Sequence, residues 1–278
     1  MVNIEMLQKQ FFSKGKPVVY NLKCGEELLI YPILVDDWDL FEACYNILTI
    51  EKNKTPSPEI IKMSYLKFLL KAILPMGSEN DINDNHNRLY WIFKLCCNTE
   101  KVYPIEIDDK SNLILIFDEK KMIEENINGS IVSVEKLVEV EKVITEKEFD
   151  EIRKIILFQN IPNYDDTEIS EDVKNLMEEY FRLSNGDLQP VTLEDKLIFL
   201  GNELNTTTDK LLNMTYREFE KRFNIAVEKM DYVINKTAEL SGNVTFKKKL
   251  EHIIYKHKTN KYGQFFVDSD IVKDTIDG

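Results

Sequence analysis

The sequence predicts an α+β fold, predominantly helical, with an N-terminal β-hairpin and a mid-chain antiparallel β patch. Three observations carry this. Apolar residues recur at three- and four-residue intervals through most of the chain, as in Trp38, Phe41, Tyr45 and Leu48. Between 101 and 144 the period shortens to the alternation of strands. Tyr216, Phe219, Phe223, Ala226, Met230, Val233, Thr237 and Leu240 then follow alternating steps of three and four, the clearest periodicity in the chain. The expected organisation is a hairpin with helices over 1–100 and a β-rich segment over 101–144. A helical domain over 145–278 follows, with a long helix at 215–240 and a basic C-terminal tail, so a boundary is expected near 140–147.

In chain order, residues 1–12 read as a short helix. Residues 18–23 and 27–31 read as strands joined at Cys24 and Gly25, and Pro32 ends the second. Asp36 or Asp37 is placed to cap the helix that buries Trp38. Pro56 and Pro58 mark a turn. Residues 59–74 read as one helix, apolar nearly all round and stopped by Pro75, which suits a buried central position. A polar loop over 77–85 precedes a third helix at 88–97. Residues 102–107 and 113–117 are strand-like around a turn at 108–112, and 131–134 and 138–144 add short strands.

Thr145 and Glu148 form a capping box, in which the hydroxyl accepts from the third amide and the carboxylate reaches back. Phe149, Ile152, Ile155 and Ile156 are the buried stripe of that helix, and Pro162 breaks it. Ser170 caps another, with Val173, Leu176, Met177 and Tyr180 on one side, ended by Asn185 and Gly186. Thr192 with Asp195 starts the next, running to about Leu204. Thr208 or Thr215 opens the long helix, and Ser241, Gly242 and Asn243 close it. A short strand at 244–246 and a short helix at 250–257 complete the reading.

The 278 residues carry a net charge of −13. That argues against broad nucleic-acid binding, because phosphate contacts need an excess of Lys and Arg on some face. It argues equally against adsorption to anionic lipid. Residues 1–12 lack a basic start followed by an apolar run, so no leader is read there. No stretch reaches the roughly 18–20 apolar residues of a membrane span, so no membrane association is expected and the protein is expected to be intracellular. The spacing of Cys24, Cys44, Cys96 and Cys97 matches no zinc pattern. Cys44 and Cys96 fall in apolar runs, and all four read as reduced thiols.

No phosphate-cradling, dinucleotide or nucleophile-elbow motif occurs, and nine glycines are few for such loops. His252 and His257 stand five apart, one more than a helical ligand pair needs. The acidic loops around Asp81 and Asp84, Asp108 and Asp109, and Asp165 and Asp166 lack the calcium register. Asp165 and Asp166, with Glu168 and Glu171, suit the acidic start of a helix. No catalytic residue, cofactor or metal is expected.

The candidates for binding are surfaces. Residues 155–166 run from an apolar helix end through Pro162 and Asn163 into Tyr164, Asp165 and Asp166. Those three, with Tyr216, Phe219, Phe223 and Met230 of the long helix, are the candidate partner-binding residues. The same stripe also reads as a bundle helix packed against its own domain, and its aromatics are too bulky for a standard two-stranded dimer. Lys247, Lys248, Lys249, Lys256, Lys258 and Lys261, with Tyr255 and Tyr262 nearby, form a basic island. It suits nucleic acid, an acidic segment of a partner, or a solvated face.

Three groups of residues carry a resemblance. The first is Leu29-Ile-Tyr-Pro-Ile33, the helix that starts at Asp37 and Trp38, and Lys62-Met-Ser-Tyr-Leu66. The second is 156–166, an acidic helix, and Gln189-Pro-Val-Thr-Leu-Glu194. The third is Leu212-Asn-Met-Thr-Tyr-Arg-Glu-Phe219 with Ser241-Gly-Asn-Val-Thr-Phe246. Together they resemble assembly chaperones of the tail or baseplate hub of tailed bacteriophages, and related phage tail proteins. The likeness covers most of the chain and rests on turn and packing signals. It implies a non-enzymatic protein that binds and shields a tail or baseplate component in the host cytoplasm during virion assembly. The alternatives are a structural subunit of the virion (tail, baseplate or connector) and a nucleic-acid-binding factor acting through 247–261. Oligomerisation is left open.

Overall fold

The fold is α+β, as the sequence predicts. A computed structural model describes residues 15–52, 58–76, 84–107, 109–127, 130–162, 164, 191–242 and 246. The expected elements at 1–12, 53–57, 77–83, 170–186, 243–245 and 250–257 lie outside the described residues. The chain divides into two compact units, Met1–Arg222 and Phe223–Gly278.

The first unit opens with a hairpin of β1 (Val18–Asn21) and β2 (Glu27–Ile30), with Val18 opposite Ile30. Its turn places Gly25 at a φ of 90°, a conformation that side-chain-bearing residues rarely adopt. Alternation along β2 buries Leu28 and Ile30 and turns Leu29 outward. Helix α1 (Trp38–Cys44) buries Trp38, Phe41 and Cys44, then tightens to a 3₁₀ turn over Tyr45–Leu48. Asp37 stands at its N-cap position, but neither it nor Asp36 supplies a side-chain cap there. Asp37 itself keeps a helical backbone, and its carboxylate bonds no helix amide.

Residues 59–74 are not one helix. Helix α2 (Pro58–Lys62) stops, and the Ser64 hydroxyl accepts from the Lys67 amide to start α3 (Tyr65–Phe68). Pro75 has no amide hydrogen to offer the Lys71 carbonyl. The chain widens to a π turn over Leu69–Ile73 and then tightens over Leu74–Met76. Burial is one-sided, with Tyr65, Leu66, Phe68 and Leu69 inside and Ile61 exposed. Helix α4 (Asn85–Cys97) follows and ends at Asn98 in the left-handed conformation.

The β patch is larger than its apolar pattern suggests. Strands β3 (Lys101–Ile107), β4 (Lys110–Ile127) and β5 (Ser130–Thr145) form an antiparallel meander in that order. The short strands expected at 131–134 and 138–144 are one strand of 16 residues. The turn expected over 108–112 shrinks, because β4 already begins at Lys110 after Asp109 at φ 58°. Strand β3 pairs with β4 only from Ile116 to Lys110, so the remainder of β4 and its partner in β5 form a two-stranded ribbon. At the base of the sheet Leu113, Leu115 and Ile144 are buried on the face that meets α3 and the helix after β5.

That helix, α5 (Glu146–Asn160), starts without a linker: Thr145 ends β5 and caps α5 through the expected box with Glu148. Phe149, Ile152, Ile155 and Ile156 are buried as the sequence predicts. Helix α6 (Leu193–Leu204) begins at the expected Thr192 and Asp195 box. A short α7 (Thr208–Leu212) starts after Thr207. The long helix α8 (Tyr216–Leu240) opens at Thr215, whose hydroxyl accepts from the Glu218 amide at 3.4 Å.

The described part of the second unit is the continuation of α8 from Phe223 onward. Ser241 closes it by donating to the Thr237 and Ala238 carbonyls, and Gly242 turns away at φ 74°.

Candidate binding surface on the long helix

The root of α8 is fixed by backbone and side chain together. The Val35 amide donates to the Met214 carbonyl at 2.9 Å and the Tyr216 amide to the Ile33 carbonyl at 3.0 Å, beside a bridge between Leu34 and Thr215. The rings of Trp38 and Tyr216 stack, with centroids 3.4 Å apart and planes 3° apart. The Tyr216 hydroxyl donates to Glu220 at 2.9 Å, and Lys196 donates to the same oxygen at 2.6 Å. Burial, then the Glu220 carboxylate, pushes the Tyr216 phenol well above its ordinary range.

Arg217 adds a second anchor. Its guanidinium donates to the carbonyls of Phe158, Ile161 and Pro162, where α5 ends. A cation there satisfies terminal carbonyls and meets the negative end of the helix dipole. Burial lowers the Arg217 pKa to about 10, which still leaves it charged at neutral pH.

At the root of α8 this anchoring agrees with the packed-helix alternative of the sequence reading rather than with the partner-binding one. Tyr216 and Phe219 are core residues, Phe219 with no exposed surface and Tyr216 with little. Phe223 is half-buried and Ala226 buried. From there the same stripe emerges: Met230 is 42%, Val233 53% and Leu240 79% exposed, with Ile234 beside them at 61%. At 100° per residue Met230, Val233, Ile234 and Leu240 fall within one face of the helix. Ile234 was missed because counting in strict steps of three and four skips its position. Its signal was an isoleucine four residues after Met230.

Tyr164 is half-buried and packs edge-on against Phe158, with centroids 5.6 Å apart. Asp165, Asp166, Lys247, Lys248, Lys249, Lys256, Lys258 and Lys261 lie outside the described residues. A second apolar set crosses the outer face of the sheet, where Tyr103, Ile114 and Val143 are paired neighbours and Tyr103 and Val143 are exposed. The sequence reading did not single it out, because its members come from three strands.

All four cysteines are free thiols. Cys44, Cys96 and Cys97 are buried, and burial raises each above the ordinary thiol range. Cys24 is exposed at the hairpin turn. Ellman's reagent is therefore expected to titrate one thiol promptly in the native protein and four in guanidinium. Prompt reaction of two or more would contradict the burial of α1 and α4.

Among the described residues no group of three or more His, Cys, Asp or Glu is placed to hold a metal ion, and no helix is long and apolar enough to cross a membrane. No protein-family model, curated protein or solved structure matches the chain.

Proposed function

We propose that this protein is a non-enzymatic factor of phage morphogenesis that binds and shields a tail or baseplate component during virion assembly. The observation that carries the reading is the stripe on α8, rooted in a packed core at Tyr216 and Phe219 and open from Met230 to Leu240. A helix bearing contiguous exposed aliphatics is a ready platform for another protein's apolar surface. The phage context comes from the sequence resemblance, and the acidity of the chain suits a soluble carrier.

The test is capture from infected cells with the tagged full chain. The expected result is a co-purifying tail or baseplate protein, identified by mass spectrometry. Met230, Val233 and Ile234 are each about half exposed, so full cover by a partner contributes on the order of 1 kcal/mol apiece. Replacing Met230, Val233 and Ile234 together by Glu should therefore abolish capture while leaving the fold intact. Purified particles holding many copies of the chain would instead assign it to the virion structure. Capture of no tail or baseplate protein by the unmodified chain would refute the proposal.

A further inference from the structure

The open stripe of α8 has unlike flanks. In heptad terms Phe223, Met230 and Thr237 take position a, and Ala226, Val233 and Leu240 take d. Position e is then apolar, with Val227 and Ile234, while position g is basic throughout, with Arg222, Lys229 and Lys236. Arg222 pairs with Glu218 and Lys236 with Glu239 inside the helix. Exposed pairs of this kind are worth about 0–1 kcal/mol, so a partner carboxylate can replace them.

This arrangement disfavours a second copy of the chain. An antiparallel copy would set Arg222, Lys229 and Lys236 against their own kind. A parallel copy would set them against position e, where Val227 and Ile234 supply no carboxylate. The net charge of −13 does not repel an acidic visitor here. Residues 223–278 hold nine Lys against eight Asp and Glu, so the acidity lies in residues 1–222. Charges more than about 8 Å away are in any case screened at physiological salt.

We propose that the stripe from Phe223 to Leu240 docks an amphipathic helix of a different protein, one that carries an acidic row along the edge facing Arg222, Lys229 and Lys236. The inference rests on the binding reading above and adds the partner's chemistry. In a parallel pair the acidic row is the partner's position e, and in an antiparallel pair its position g. The apolar strip supplies affinity and the charged row supplies register and choice of partner.

The probe is a synthetic helical peptide of about 28 residues, four heptads, with Leu at a and d and Glu at e and g; its control carries Lys at e and g. Binding to the full chain is read by fluorescence anisotropy. The Glu peptide is expected to bind about tenfold or more tighter than the Lys peptide. The Lys229→Glu, Lys236→Glu chain should reverse that order, and the Val233→Glu, Ile234→Glu chain should bind neither. Circular dichroism confirms that each variant keeps its helix. Equal affinities, no reversal, or no binding of either peptide overturns the proposal. So does a dimer of the chain, seen by sedimentation equilibrium, that Val233→Glu, Ile234→Glu dissolves. If Lys229→Glu, Lys236→Glu still captures a tail component from infected cells, the acidic row is wrong and the assembly reading stands. If the unmodified chain captures none, that reading fails whatever the peptides do.

Discussion

The Phe149→Ala variant is expected to lose about 3–5 kcal/mol of stability, the usual cost of deleting a fully buried aromatic. Phe149 has no exposed surface. Its ring lies between Tyr65 of α3 and Phe93 of α4, with centroids 6.4 and 6.0 Å away. Those neighbours cannot easily close the hole. The Tyr65 hydroxyl donates to the Ile47 carbonyl at 2.9 Å, and the Arg153 guanidinium lies 4.0 Å from its ring centre while donating to the Leu48 carbonyl. Burial pushes the Tyr65 phenol up to about 12, so that hydrogen bond persists across the ordinary pH range. The ring therefore joins α3, α4 and α5 at a point where each is already held. A domain of this size is stable by about 5–15 kcal/mol, so the variant loses a large share of it. Urea unfolding followed by circular dichroism reads the loss. Ile234→Ala, exposed on α8, should stay within about 0.5 kcal/mol of the unmodified chain. A loss below about 1.5 kcal/mol for Phe149→Ala would mean that its site is not packed as described.

Local chemistry is what the sequence makes legible. The boxes at Thr145 with Glu148 and at Thr192 with Asp195 need three residues of chain and nothing else, and both form. The hairpin at Gly25 is equally local. The full length of β4 and β5 was hidden because Asp118, Glu119, Lys120 and Lys121 follow Phe117 and break its apolar alternation, at the point where β3 no longer pairs. In 59–74 Ser64 sits between Met63 and Tyr65 in a largely apolar stretch, and that stretch masks the cap.

The candidate surface was half legible for a deeper reason. Phe219 and Met230 hold equivalent ranks in one periodic stripe, yet one is core and the other surface. Periodicity reports which face of a helix is apolar. It does not report how far along the helix the rest of the chain reaches. The buried root is held at Tyr216 by Ile33 and Trp38, residues far from the stripe in sequence. Arg217 left no trace in the pattern at all, because its partners are backbone carbonyls, which every residue carries.

Glu148 is expected to make the first unit acid-sensitive, and its substitution to cost more than an ordinary cap. It is buried, and its two oxygens serve different parts of the fold. Oε1 accepts the Lys23 amide of the hairpin turn at 2.7 Å; Oε2 accepts the Thr145 amide at 2.9 Å and the Thr145 hydroxyl. Burial alone would raise its pKa. The bonds from the Thr145 hydroxyl and from the Lys23 and Thr145 amides outweigh that and hold the carboxyl below its ordinary range. Glu146, which accepts the Ser111 amide at 2.8 Å, is lowered in the same way. A carboxyl that is more acidic folded than unfolded contributes stability fully present above the unfolded value, about 4.3 for Glu. That stability drains away as pH falls through the lower folded value. In Glu148→Gln the amide nitrogen replaces Oε2 and turns a donor toward the Thr145 amide. One stranded buried donor costs about 1–3 kcal/mol, and Glu148→Ala, which strands the Lys23 amide as well, should cost more. Urea midpoints at neutral pH and at steps down through the carboxylate range test both parts. The variants should start lower and then lose less on acidification than the unmodified chain. Parallel curves would show that protonation of Glu148 is not what destabilises this unit in acid.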